Sequence, residues 1–284
     1  MGHFEGVLND FLGAQAVGLS YREWQPTKWA SLDVLGDRVS EIARASGHPI
    51  ASALELGCGA ATLLYMLAAA GADCHGVDRD GTALELARQA HASMGPTSGR
   101  FVLERANFLD PEWSAPPADL VFSIGTIEHY LGRDQEEVLR RHAEFSQRWV
   151  LLAIPNIASP LFEAFLQAMV EDGTVYHDEH YSIDVPDLVR RAGFVLAASD
   201  GCHVFLSRAR DRRFAGAELV SFESGLRNRL ALDSVRYAGF PAMDLAAADI
   251  PALARVEQAT RMADRIRFGF LLWYLIDTRP QETP

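Results

Sequence analysis

From residue 51 onward, short apolar runs of β type alternate with longer stretches of helical spacing. Hydrophobic periodicity therefore predicts strands at Ala51 to Leu56, Asp73 to Val77, Arg100 to Arg105, Asp119 to Ile124 and Trp149 to Ile154. Helices are predicted between them at Ala60 to Ala70, Gly81 to Ala92 and Arg133 to Phe145, where Val138, Leu139, His142 and Phe145 share one face. Strands alternating with helices are the pattern of an α/β sheet. Beyond Pro155 the pattern predicts helices at Pro160 to Glu171 and Pro186 to Ala192. Asp184 is the N-cap of the second and Gly193 its stop. Phe194 to Ala198 and Val204 to Leu206 read as parts of a sixth strand or hairpin, and Arg208 to about Arg265 as irregular helix with Asp249 capping a stretch from Pro251. The apolar run Phe268 to Asp277 reads as a last, buried strand. Residues 1–46 look helical, with an aromatic interruption at Tyr21 to Trp24 and at Trp29.

A chain of 284 residues is long for one domain and short for two. A 49% hydrophobic, 23% charged composition supports a folded core and excludes disorder for most of its length. The net charge of −12 disfavours attraction to nucleic acid or an anionic membrane, and a small-molecule partner fits better. Cys58, Cys74 and Cys202 lack CxxC spacing and are odd in number, which points to a reducing cytoplasm. The chain start lacks a basic n-region, and no apolar run approaches the roughly 20 residues of a membrane span. Lys28 is the only lysine beside 25 arginines, a bias of composition with no function legible in it.

The sharpest local signal is Glu55-Leu56-Gly57-Cys58-Gly59, a strand entering a glycine turn before a helix. Glycines there let the backbone approach a ligand, and the helix N-terminus adds a favourable dipole. Asp78 ends the second strand about 20 residues on, where a carboxylate accepts hydrogen bonds from ribose hydroxyls. A dinucleotide fold would place a third glycine where Thr62 stands, and Glu55 would repel a nearby pyrophosphate. A cofactor carrying an ammonium or sulfonium group suits that carboxylate better.

Over residues 50–207 these motifs resemble those of the class I S-adenosylmethionine-dependent methyltransferases. Besides the glycine turn and Gly76-Val77-Asp78, the segments Ala106 to Asp110, Asp119 to His129, Ile154 to Asn156 and Glu179 to Tyr181 follow the family's order. The resemblance implies that Glu55, Gly57, Cys58, Gly59, Asp78, Arg79, Asn107, Phe108, Ser123 and Ile124 line the S-adenosylmethionine site. Asn107 stands where members of the family often carry Asp, so adenine's exocyclic amine meets either its carbonyl or Asp110. Tyr21, with Trp24 and Trp29, either closes over the cofactor or packs as helix core.

Methyl transfer is an in-line displacement, so the protein must align the reactants and exclude water. His129, just past the fourth strand, suits deprotonation of a hydroxyl, although with Glu128 it equally suits bracing the pocket. His180 is the second catalytic candidate, or a loop anchor. Asn156 either orients a substrate or satisfies loop backbone. His177-Asp178-Glu179-His180 offers metal-type donors in weak spacing, and no metal is assigned. The seven arginines between Arg208 and Arg236 form a basic stretch suited to an anion or, more commonly, a solvated helix face.

The expected architecture is α/β, a Rossmann-like seven-stranded, mostly parallel sheet with helices on both faces and, by the resemblance, an antiparallel last strand. Residues 1–46 would form an N-terminal helical cap, 47–207 the S-adenosylmethionine-binding core, 208–265 a helical insertion or substrate lid, and 266–284 the completing strand. The expected activity is methyl transfer to a small molecule, as O-methylation in bacterial specialised metabolism, by a cytoplasmic protein compatible with a homodimer. N- or C-methylation, a cofactor-binding sensor or scaffold, and a nicotinamide oxidoreductase are the competing readings.

Overall fold

A computed structural model describes residues 3–171, 183–205, 211–229 and 250–279. Its seven strands form one sheet in the order β3-β2-β1-β4-β5-β7-β6. They are β1 (Ser52–Leu56), β2 (Asp73–Asp78), β3 (Phe101–Arg105), β4 (Ala118–Ile124), β5 (Ser146–Pro155), β6 (Val195–Cys202) and β7 (Leu271–Asp277). β1 to β5 pair in parallel, and β7 inserts antiparallel between β5 and β6. The expected mostly parallel sheet with an antiparallel last strand is the one observed. Strand order reverses between β1 and β4, and the carboxyl ends of those two strands flank the crevice where open α/β sheets bind ligands.

The helices are α1 (His3–Ala16), α2 (Tyr21–Trp24), α3 (Pro26–Ala45), α4 (Thr62–Ala69), α5 (Gly81–Met94), α6 (Arg133–Phe145), α7 (Pro160–Glu171), α8 (Val185–Arg191), α9 (Ala217–Arg229), α10 (Ile250–Ala259) and α11 (Met262–Phe268). On one sheet face Leu120, Phe122, Trp149, Leu151, Trp273 and Leu275 pack with Leu32 and Leu35 of α3 and Leu63 and Leu64 of α4. On the other, Leu54, Val121, Val150 and Leu152 pack with Val138 and Leu139 of α6 and Leu188 of α8. Asp184 caps α8 as its spacing predicts, accepting from the Asp187 N–H at 3.0 Å, and Gly193 follows with φ +77°.

Three sequence expectations change. Tyr21 to Trp24 does not interrupt a helix but forms a turn of its own, held by a capping box of Ser20 and Glu23. β6 continues unbroken through Cys202, so no hairpin intervenes; Val204 lies past the strand, and Leu206 lies outside the described residues, as does Asp249. Phe268 ends α11 rather than opening β7, because the chain turns there: the Gly269 N–H donates to the Arg265 carbonyl at 2.7 Å. The Asn156 amide donates to the carbonyls of Ile266 and Gly269 at 2.7 and 3.0 Å, satisfying loop backbone.

The helices outside the core share an apolar cluster, in which Leu226 of α9 joins Ile250 and Leu253 of α10. α10 lies along α3, whereas α9 leans on α7. The α3 side is pinned to the sheet by a buried charge cluster, in which Asp200 on β6 takes Arg38 Nη1 at 2.6 Å and Arg265 Nε at 3.1 Å. Within the arginine-rich stretch, Arg213 pairs with Glu171 at 2.7 Å, while Arg208, Arg210 and Arg236 lie outside the described residues. Breaking a buried charge group from one side costs far more than the group contributes intact. Asp200→Asn should therefore lower the unfolding free energy by about 3–5 kcal/mol, seen as a fall in the urea midpoint, whereas breaking the exposed pairs of Asp187 by Asp187→Asn should leave that midpoint nearly unchanged.

Candidate functional site

The glycine turn after β1 alternates into left-handed conformation, with φ +73° at Gly57, +50° at Gly59 and +50° at Ala61. Gly57 has a second constraint, because a Cβ there would lie 2.7 Å from Thr126 Oγ1. That hydroxyl donates to the Leu56 carbonyl at 3.3 Å, stitching the β4 end to the β1 end. Ala61 precedes α4 without a side-chain cap, so the first amides of that helix are left for other acceptors. Phe4 of α1 stands over the turn, its ring 3.4 Å from where a Gly59 Cβ would be.

Asp78 locks the turn to the end of β2. Its carboxylate accepts the Gly59 N–H at 2.8 Å and the Asp80 N–H at 2.9 Å, each oxygen retaining further acceptor capacity. Glu55 is buried on β1, and its Oε2 has no hydrogen-bond partner. Burial pushes its carboxyl well above the ordinary range; Lys28 on α3 offsets part of this and Asp78 adds to it. A buried carboxylate with an orphan oxygen beside a glycine cradle is a place for a cation.

The other sequence candidates divide. Cys58 contributes backbone, its N–H donating to the Val77 carbonyl at 3.0 Å, while its sulfur packs in the core beside Gly76. Burial drives that thiol far up in pKa, so it is no nucleophile. Ser123 is buried with an unpartnered Oγ, and Ile124 is half-buried at the β4 end. Asn107 is exposed and turns its Oδ1 to the Leu109 N–H at 3.2 Å, while the Phe108 ring lies buried beside Tyr130 at 6.5 Å between centroids. Arg79 is exposed, and its charge acts on Tyr130 together with that of Asp78.

Tyr21 is buried among Phe11 and Trp24, its hydroxyl 3.4 Å from Thr62 Oγ1 at the start of α4. Trp29 stacks toward Tyr65 in the same cluster. The aromatic segment is thus helix core, with only the Tyr21 hydroxyl reaching the turn. His129 is exposed on a short 3-10 turn, Ile127–His129, beyond β4, and Glu128 beside it is buried against Gly125. His180 and the His177 to Tyr181 segment lie outside the described residues. Among the described residues no three His, Cys, Asp or Glu side chains converge as a metal site, and no helix is long and apolar enough to cross a membrane.

Sequence reasoning passed over Thr126, Tyr130 and Lys28. The close approach of Thr126 to Gly57 was foreshadowed only by the glycine itself, and the influence of the Lys28 charge on Glu55 has no local signal because 27 residues separate them.

Residues 53–147 match the family model of a methyltransferase domain. The match spans about a third of the chain and takes in the glycine turn, Asp78 and the end of β4. No curated protein sequence matches the chain. Among solved structures, it is similar to a plantazolicin methyltransferase bound to a substrate analogue and S-adenosylhomocysteine. The two are 12% identical, with 87% of this chain and 84% of the other covered at a TM-score of 0.48. It is also similar to a magnesium protoporphyrin IX methyltransferase from Synechocystis, at 19% identity, 59% and 74% coverage and a TM-score of 0.45. A mycolic acid cyclopropane synthase is similar at 16% identity, 84% coverage of each chain and a TM-score of 0.46.

Two outcomes test the cradle. Gly57→Ala should cost about 2 kcal/mol or more, from the left-handed backbone and the clash together. Adding Thr126→Ala should recover only the clash share, a non-additivity readable in thermal unfolding. Because Glu55 holds its proton to higher pH in the free protein, binding a cation there should release a proton and tighten as pH rises. Glu55→Gln should abolish the release, measured as the buffer dependence of the calorimetric enthalpy for S-adenosylhomocysteine.

Proposed function

We propose that the protein methylates an oxygen of a small molecule, with Glu55, Gly57, Gly59 and Asp78 as the cofactor cradle. The reading extends to bacterial specialised metabolism, the setting its alanine- and arginine-rich composition suits. The observation that carries the cofactor's placement is the buried orphan oxygen of Glu55 beside a glycine turn already tied to Asp78. When bound, S-adenosylmethionine supplies an electrophilic methyl on a sulfonium. In this reading Glu55 faces the cofactor's ammonium and Asp78 its ribose. Tyr21, Cys58, Arg79, Asn107, Phe108, Ser123 and Ile124 complete the surround, Cys58 through its backbone. Residues 1–46 and 208–265 flank the 47–207 core as cap and lid and select the acceptor, a role consistent with Phe4 over Gly59 and α10 along α3.

His129 is the proposed base on the acceptor side, with His180 as the second candidate. Exposure of His129 beyond β4 leaves its imidazole reachable by a bound hydroxyl and by solvent, which a proton carrier needs. Turnover of labelled S-adenosylmethionine against phenols, alcohols, amines and carboxylic acids tests the activity and the acceptor atom together. His129→Ala should cut the rate by about 10²–10⁴ while S-adenosylhomocysteine affinity stays within twofold or so; an unchanged rate assigns His129 to bracing the pocket. Cofactor binding with no product from any class would instead support the sensor.

A further inference from the structure

The loop that leaves β3 owes its shape to a residue outside it. Residues 107–113 run in two successive turns, closed by the Asp110 N–H on the Asn107 carbonyl at 2.9 Å and the Trp113 N–H on the Asp110 carbonyl at 3.0 Å. Arg141 of α6 donates to three of the loop's carbonyls: Nε to Phe108 at 2.9 Å, and Nη2 to Asp110 at 3.3 Å and to Trp113 at 2.9 Å. Its Nη1 donates to Glu144 at 2.6 Å, and its guanidinium lies 4.8 Å from the centre of the Phe145 ring, which Trp113 meets edge-on at 5.1 Å between centroids. The arginine is only 6% exposed. A buried guanidinium is costly, and a loop that needed packing alone would be served as well by an apolar side chain. What the fork adds is geometry: one planar group with fixed donors specifies the relative positions of three carbonyls from Phe108 to Trp113.

The loop so held borders the cofactor cradle. The Ala106 N–H, just before it, donates at 3.1 Å to the carbonyl of Asp78, the residue whose carboxylate ties Gly59. The Phe108 ring is buried in one cluster with Val77 near the β2 end and Ile127 past β4. A ribose held by Asp78 therefore carries its base next to this loop. Asn107 and Asp110 are exposed there. Asn107 Oδ1 accepts the Leu109 N–H at 3.2 Å and Asp110 Oδ1 the Glu112 N–H at 3.0 Å. Neither cap uses the Asn107 amide NH2 or the second Asp110 oxygen, a donor and an acceptor. Adenine presents the converse pair, a ring-nitrogen acceptor beside an amino donor. Hypoxanthine carries an acceptor where adenine has that amine.

We infer that Arg141 is a positioning residue that sets the base selectivity of the cofactor site, by holding loop 107–113 with Asn107 and Asp110 in register with an adenine. The inference rests on the cofactor reading above, which places Asn107 and Phe108 in the surround. A loop free to shift can turn the Asn107 amide to the carbonyl of hypoxanthine and accept either base, whereas a loop held at three carbonyls accepts one. Arg141 touches neither the base nor the reacting atoms in this role and acts through the loop alone.

The test measures binding of S-adenosylhomocysteine and S-inosylhomocysteine to the full chain by calorimetry. The wild-type chain should prefer the adenine compound by about tenfold or more. Arg141→Lys keeps the charge without the fork, and Arg141→Met keeps only the stem. In each, S-adenosylhomocysteine affinity should fall about tenfold while S-inosylhomocysteine affinity changes less than about twofold, so that the preference closes. An arginine that served stability alone would lower the melting temperature and weaken both compounds alike. A preserved preference in either folded variant therefore overturns the proposal. Loss of the fold in both variants, read by circular dichroism, assigns the arginine to the scaffold and overturns it too, as does equal binding of the two compounds by the wild-type chain. Failure of the wild-type chain to bind either compound overturns the cofactor reading itself, and this inference with it.

Discussion

The contact on which the site depends is the one between Thr126 and the glycine turn. β1 and β4 are adjacent strands whose following segments leave on opposite faces of the sheet, α4 on one and the Ile127–His129 turn on the other. Such a reversal leaves a crevice, and its width is set by how closely the two departing chains approach. Here a threonine hydroxyl reaches the Leu56 carbonyl through the space a side chain on residue 57 would fill. The absent Cβ is therefore as much a packing requirement as a conformational one. Asp78 completes the arrangement from the other side by taking the Gly59 amide, so three strand ends are tied into one rim before any ligand arrives. Pre-organisation of this kind reduces the ordering cost of binding.

Electrostatics at this rim follow from burial. A buried carboxylate on β1, its charge opposed by Asp78 and offset in part by Lys28, is a poor resting place for negative charge and a good receptor for a cation. The same lysine is the chain's only one, among arginines several of which pair with carboxylates in the core and on the surface. Arginine suits fixed bidentate pairing, whereas a lysine ammonium is a compact charge on a flexible stem. Its charge acts on both Glu55 and His203, and among the described residues it has no ion-pair partner, unlike the arginines that hold the scaffold together.

Much of the scaffold was legible because periodicity encodes which face is buried. Strands near Leu56, Val77, Arg105 and Ile124, with the intervening helices, emerge within a few residues of their observed ends, and so does the cap at Asp184. Phe268 was misread because an apolar run does not distinguish a buried helix end from a strand start. What decides the boundary is Asn156, more than a hundred residues away, whose amide satisfies the carbonyls freed at that corner. The Tyr21 to Trp24 turn was legible in principle, since Ser20 and Glu23 stand at capping-box spacing.

The glycine turn and the polar groups under α3 and α10 differ in legibility for a physical reason. A glycine turn and the acid at the next strand end are set by local backbone geometry, which repeats wherever a chain must curl around a ligand, so their spacing survives as a pattern in the sequence. His203, Trp273, Thr27 and Glu257 belong to four separate elements, and each is unremarkable where it stands: a histidine after a strand, a tryptophan within an apolar run, a threonine in a first helical turn, a glutamate in an amphipathic helix. Packing α10 along α3 is what sets Glu257 on the His203 and Val204 amides and beside Ser31. Their unpaired atoms become costly at that moment, because burial removes the water that would otherwise satisfy them. Contacts of these polar groups are thus a property of how the flanking helices dock, and those of the glycine turn a property of the strand ends.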